Sequence, residues 1–270
     1  PFSSRFSAMA FPVYLDLFGW RLHPHVAFET LGYAVGARLY FFQRRRLRLM
    51  GTGSRDSLET ALWLLVGCIF GAWAGSKLLA WAESPQFYWS LRANPRAWLG
   101  GKTIVGGLLG GWAGIELAKR RLGLVRSTGD AFVLPLTAGI AVGRLGCFFT
   151  GLSDHTYGVA TSLPWGVDFG DGVPRHPTQL YESLFALGLG GAVLFAAHLR
   201  RGAWPDGKAF RLFLLGYFVF RGLVEFIKPR ELLAGPLSAI QCASLAGIAL
   251  CLFTLRRPHP CLTAPTSTPN

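Results

Sequence analysis

Charge is scarce in this sequence. Asp, Glu, Lys and Arg make up 15% of its 270 residues, against roughly 25% in an ordinary soluble domain. Acidic residues are the scarcest, 14 against 27 basic ones. The five cysteines form no CxxC pair. Cys68, Cys147, Cys242 and Cys251 sit in apolar surroundings and read as small hydrophobes rather than as disulfide partners or a zinc site. No nucleotide-binding or zinc motif occurs, so neither a cofactor nor a metal is expected. The 34 glycines follow no G-X-Y period, which excludes collagen. The first 25 residues lack a basic stretch followed by an apolar core, so a signal peptide is not expected, and a start at Pro1 suggests a trimmed chain.

Apolar mass is abundant. Hydrophobic residues are 51% and aromatics 14%, which rules out a disordered chain. A soluble enzyme with a large core or a polytopic membrane protein remains. Leu232–Leu255 is 24 residues without a charge; at 1.5 Å per residue it spans about 36 Å, enough for a hydrocarbon core of about 30 Å. Thr60–Ser76 and Ser183–Leu199 are uncharged runs of 17. Stretches near 26–43, 103–118, 131–151 and 210–227 are apolar with one or two ionisable residues. None alternates like a strand, and Ala, Leu and Gly dominate, so all seven predict helices.

The basic residues decide between the two classes. Arg44, Arg45, Arg46, Arg48 and Arg55 follow the first stretch, Lys119, Arg120, Arg121 and Arg126 the third, Arg200, Arg201, Lys208 and Arg211 the fifth, and Arg256 and Arg257 the seventh. These 15 face 8 on the other side: Arg5, Arg21, Arg92, Arg96, Lys102, Arg175, Lys228 and Arg230. A nucleic-acid surface has no reason to alternate this way; the positive-inside rule does. The expected fold is all-α, seven transmembrane helices in one domain over residues 1–258. The N-terminus lies outside, the C-terminus in the cytoplasm, and a flexible tail covers 259–270. Exterior loops near 82–102 and 152–178 carry Trp89, Trp98 and Trp165, as an interfacial belt would.

Ionisable residues inside spans cost about 2.5–3.5 kcal/mol each on insertion scales. Arg38 and Lys77 lie near span ends and are expected to snorkel. Glu116 sits one turn from Lys119 and Arg120, an expected local pair. Arg221 and Glu225 are four apart, on one helical face. Arg144 has no carboxylate within four residues and lies among Gly143, Gly146 and Gly151. An arginine so placed calls for an anion, and guanidinium binds phosphate through paired hydrogen bonds. The anion available in a bilayer is a phospholipid headgroup. Gly106 and Gly107 read as close helix packing or as a ligand approach. Arg175-His176-Pro177-Thr178-Gln179-Leu180-Tyr181-Glu182 enters the fifth helix, with His176 or Thr178 as its expected cap.

Four segments in order resemble the prolipoprotein diacylglyceryl transferase family. Gly143-Arg-Leu-Gly-Cys-Phe-Phe-Thr-Gly151 is similar to its GRxGNFxxGE-like signature. Leu163-Pro-Trp-Gly-Val167 matches a stretch that follows. The 175–182 run resembles RHPSQLYE, and Phe220-Arg-Gly-Leu-Val-Glu-Phe226 resembles RxxVEFxR. The resemblance implies a seven-helix enzyme of the bacterial inner (plasma) membrane, embedded in the lipid bilayer, without metal or nucleic acid. It would transfer a diacylglyceryl group from phosphatidylglycerol to a cysteine in a prolipoprotein signal sequence. Arg144 and Arg221 fall on its two essential arginines, with Gly106, Gly107, Gly143, Gly146, Gly151, Gln179, Tyr181, Glu182 and Glu225 as expected substrate-binding positions.

The chain departs from the pattern. Val105 stands where the family has the histidine of HGG, Cys147 replaces the signature asparagine, and Leu152 the following Glu. Phe28-Glu29-Thr30 stands where a Trp-Tyr-Gly-like run is usual. A substitute base could be Glu29, His25, His155 or His176, with Glu29 and His176 placed among the candidate catalytic residues. Cys147 reads as a packing residue, with a nucleophile or acceptor as its other reading. Two alternatives follow: the same scaffold moving a phospholipid-derived group to another acceptor, or a lipid-binding protein without chemistry.

Overall fold

A computed structural model describes residues 10–17, 19–47, 55–92, 94, 97–124, 127–200, 204–233 and 235–256, without the side chains of 44–47, 55–58 and 97. Arg5, Arg48, Arg96, Arg126, Arg201, Arg257, Cys261 and the 259–270 tail lie outside the described residues.

The chain is mostly helical. Seven long helices are described: α1 (Pro24–Leu47), α2 (Arg55–Glu83), α4 (Ile104–Arg121), α5 (Val133–Thr150), α6 (Thr178–Leu199), α7 (Lys208–Val224) and α8 (Ala239–Arg256), with a short α3 (Pro85–Ser90) after α2. Among the described residues, four stretches are long and apolar enough to cross a membrane: Glu59–Glu83, Gly129–Asp154, Thr178–Leu199 and Ala239–Arg256. Leu62, Trp63, Leu65, Val66, Ile69, Phe70 and Trp73 of α2 are all exposed. A water-facing helix would not present such an unbroken apolar surface, and a lipid-facing one must.

Small departures from a purely helical fold occur in the loops. β1 (Leu15–Leu17) pairs antiparallel with β2 (Trp20–Leu22), Leu15 opposite Leu22. β3 (Val167–Asp168) pairs with β4 (Pro174–Arg175), Val167 opposite Arg175. The final helix also begins later than the uncharged run starting at Leu232. Pro236 lacks an N–H and Gly235 has φ +58°, so the backbone turns before Ala239. Conversely, α6 takes in the polar residues Thr178–Glu182 ahead of the apolar stretch.

Glycine sets the closest helix crossing. α2 and α4 meet through Gly67, Gly71 and Gly75 against Gly106, Gly110 and Gly114. A Cβ on Gly110 would stand 2.1 Å from the Gly71 carbonyl oxygen, and one on Gly106 2.3 Å from that of Gly75. Without side chains the two backbones touch, the arrangement favoured where lipid supplies no hydrophobic drive between helices. α1 packs on α5, α5 on α6, and α7 on α8. Phe213, Leu214, Tyr217 and Phe218 of α7 are fully buried at the centre, and Val105 packs in the same core.

The helix ends are tied at two poles. At one, Asp130 accepts from the backbone N–H of Gly207 (2.8 Å) and Phe210 (2.9 Å), satisfying orphan donors at the start of α7. Lys119 pairs with Glu116 at 2.9 Å, the expected local pair. At the other, Glu83 accepts from Ile240 N–H at 3.0 Å at the start of α8. Lys77 is also there, and it does not snorkel. It is buried, and its ammonium donates to the carbonyls of Leu99, Gly100 and Gly101. The buried ammonium is satisfied by three carbonyls of that loop. Arg38 is exposed on α1.

Candidate active site

The second pole gathers the N-terminal ends of α1, α4, α6 and α8 and the C-terminal ends of α2, α5 and α7. Glu182, on the first turns of α6, is 2% exposed and is the hub. Its Oε2 lies 2.9 Å from Arg144 Nη2 of α5 and 3.5 Å from Arg221 Nη1 of α7. Tyr217 Oη donates to its Oε1 at 2.5 Å. Arg221 Nη2 also meets Glu225 Oε2 at 3.0 Å, the expected i,i+4 pair. Tyr217, Arg221 and Glu225 repeat every four residues, so they form one stripe on α7 and its continuation.

Arg144 is therefore not without a carboxylate. Its partner lies 38 residues away in sequence, on the next helix, where a search among neighbours cannot find it. The pairing still leaves donors unused. Among the described residues, Arg144 Nε and Arg221 Nε are buried without a hydrogen-bond partner, as are both amide atoms of Gln179, three residues before Glu182. Buried polar groups are almost always satisfied. Two guanidinium N–H groups and an amide, orphaned around one centre, suit a ligand rich in acceptors. Gly143 beside Arg144 borders open space, whereas a Cβ on Gly146 would strike Phe28 and one on Gly151 would strike Phe11. Gly106 lies against the Gly75 backbone; Gly107 is near Ala72 and Ser76.

A second cluster adjoins the first. His25 Nδ1, on the first turn of α1, lies 2.7 Å from Asp154 Oδ1, just past α5. Its Nε2 is 3.6 Å from Glu29 Oε2. Glu29 accepts from Lys102 Nζ (2.6 Å) and Tyr33 Oη (2.8 Å). The sulfur of Cys147 completes the group: ligand atoms of His25, Cys147 and Asp154 all lie within 4.8 Å of one another. Arg144 Nη1 donates to Cys147 Sγ at 3.9 Å, so one guanidinium touches both clusters. Glu29, expected as a candidate, and His25, weighed beside it, thus come together next to the arginines.

His176 sits apart from these groups. Its Nδ1 is 3.2 Å from Tyr181 Oη, which accepts from Trp165 Nε1 at 2.8 Å. It does not cap α6, and neither does Thr178: Pro177 is the cap residue, without a side-chain bond. Thr178 Oγ1 donates instead to Thr156 O at 2.6 Å. The 152–178 segment is held by Phe11, Phe148 and Phe169, with Phe11 and Phe169 ring centroids 5.1 Å apart.

Asp154, Tyr217, Lys102 and Lys228 were not singled out from sequence. Only Tyr217 left a signal, its four-residue spacing from Arg221. Lys228, half-buried just beyond α7, is pulled down to about 8, by burial first and then by the charges of Arg221 and Arg144.

Comparison with known proteins identifies the family. The family model described as prolipoprotein diacylglyceryl transferase matches residues 12–257. The phosphatidylglycerol–prolipoprotein diacylglyceryl transferase of Bordetella parapertussis is 37% identical over 270 residues, covering 92% of this chain and 96% of the relative. That of Geobacter sulfurreducens is 34% identical, covering 92% and 98%. That of Cupriavidus necator is 35% identical, covering 80% and 83%. With its membrane-spanning helices and the two-arginine site, this chain belongs to the prolipoprotein diacylglyceryl transferase family.

Proposed function

We propose that this chain moves the diacylglyceryl group of phosphatidylglycerol to the thiol of a cysteine in a prolipoprotein signal sequence. All seven long helices span a bacterial plasma membrane as one domain over residues 1–258, N-terminus outside, with a tail at 259–270. The site then opens at the outer face, where such signal sequences emerge.

The observation that carries this reading is the pair of buried arginines converging from α5 and α7 with unused N–H groups. A lipid phosphate between them would take those donors and the Gln179 amide. The thiolate sulfur attacks the terminal glyceryl carbon. The carbon–oxygen bond to phosphate breaks, and its electron pair leaves on the oxygen of glycerol-1-phosphate. Fixed guanidinium groups aimed at that oxygen stabilise the charge as it develops, which is worth more in a water-poor site. Glu182 keeps both arginines preorganised, and Tyr217 fixes Glu182.

One observation favours a second reading, a different acceptor on the same scaffold. Val105, at the family's histidine position, is 1% exposed within the apolar core, so no acid–base group works from that place. Purified protein, labelled phosphatidylglycerol and a signal-sequence peptide bearing the cysteine test both. Label on the cysteine is the expected result. Label on another product alone would move the conclusion to the second reading, and lipid binding without turnover would leave a binding protein.

A further inference from the structure

The cluster beside the arginines includes one departure from the family pattern, Cys147 for the usual asparagine, together with His25 and Asp154. We propose that His25, Cys147 and Asp154 bind a divalent transition metal, zinc being the best fit. The fourth position takes the acceptor thiol as a thiolate.

The donor set carries the first half. Imidazole, thiolate and carboxylate together suit zinc, and three protein ligands with one open position is the pattern of catalytic zinc sites. Zn–N of about 2.0–2.1 Å and Zn–S of about 2.3 Å put tetrahedral ligand atoms roughly 3.3–3.7 Å apart. The three donors lie within 4.8 Å of one another, so small side-chain shifts suffice. They come from three places, the first turn of α1, the last turn of α5 and the 3₁₀ turn Gly151–Asp154, which is why no spacing motif marks them.

The surroundings carry it further. Metal-bound histidines usually donate their other ring N–H to a carboxylate. With Nδ1 facing Asp154, His25 Nε2 faces Glu29 Oε2 at 3.6 Å. The second oxygen of Asp154 accepts from Thr156 Oγ1 at 2.6 Å. The Cys147 sulfur accepts from Arg144 at 3.9 Å. Each ligand thus has an outer partner of the sort that orients it.

The second half rests on the transferase reading above. A free thiol has a pKa of about 8.5, and a metal deprotonates one outright. On binding, the acceptor S–H would lose its proton to solvent. Its sulfur would then form the bond to the glyceryl carbon while the carbon–oxygen bond breaks toward the phosphate at Arg144. The metal changes no oxidation state. It supplies what a base would have supplied, at a distance from the arginines set by Arg144 itself.

Cobalt(II) is the probe. Chelator-treated full-length protein in detergent is titrated with cobalt alone. Expected are tetrahedral d–d bands, a sulfur-to-cobalt charge-transfer band and one equivalent bound. Cys147→Asp should keep the d–d bands and lose the charge-transfer band, which shows that the variant folds. His25→Ala and Asp154→Ala should weaken binding by at least roughly 10–100-fold. A cobalt spectrum unchanged in Cys147→Asp, or no binding by the parent protein, overturns the site. Adding the cysteine peptide without lipid should strengthen the charge-transfer band. An unchanged spectrum overturns the thiol-binding role even if the metal binds. Failure of lipid transfer with both spectral changes intact would instead count against the transferase reading.

Discussion

Arg144 of α5 and Glu182 of α6 form a buried ion pair, Nη2 to Oε2 at 2.9 Å, and the same guanidinium reaches Cys147 on its other side. The pair therefore sits at the junction between the two buried arginines proposed to hold phosphate and the cluster that contains the Cys147 thiol. Burying two charges is costly unless each is well compensated. Here Glu182 is compensated three times, by Arg144, Arg221 and Tyr217.

Removing that hub should be severe. Glu182→Ala leaves two guanidinium groups buried without their common partner, and breaking a buried pair costs about 3–5 kcal/mol. Thermal unfolding in detergent should show a large fall for Glu182→Ala. Tyr217→Phe, which deletes one hydrogen bond to a charged group, should cost about 1.5–3 kcal/mol. Equal losses in the two variants would refute the hub.

The glycine crossing should tolerate no side chain. Gly110→Val must push α2 and α4 apart, because even a Cβ would stand 2.1 Å from the Gly71 carbonyl oxygen. Overpacking of this kind costs typically about 1–3 kcal/mol. Gly143→Ala, with open space at its Cβ, should leave stability unchanged in the same melting experiment while lowering lipid turnover.

Lys228 gives a pH dependence of known sign. With its ammonium pulled down to about 8, it is charged below that pH and neutral above it. Binding of glycerol-1-phosphate to the purified protein should weaken as pH rises through 8. Lys228→Arg, which stays charged, should abolish the dependence. A flat profile in the parent protein would remove Lys228 from the anion site.

Much of the architecture was legible in the sequence because hydropathy and helical length are local properties. Each of the seven apolar stretches lies largely within a long helix. The uncharged run from Leu232 misled because hydropathy is blind to Gly235 and Pro236, which hold the first residues out of α8. The site was legible in its parts, and its pairings were not. Arg221 and Glu225 are four apart and were paired from spacing alone. Arg144 and Glu182, or His25 and Asp154, meet only when different helices pack. The same limit hid Asp154 and made Lys77 look like a surface group, since its three carbonyl partners belong to a loop 22–24 residues away.

The central claim is that Arg144 and Arg221 together hold the phosphate that leaves. The most direct measurement is diacylglyceryl transfer from labelled phosphatidylglycerol to the cysteine peptide by the parent protein, Arg144→Ala and Arg221→Ala. Insertion and folding are checked alongside. The account predicts transfer by the parent and a loss of at least roughly 100-fold in each variant, the scale of one lost transition-state donor. Full activity in either folded variant would contradict it.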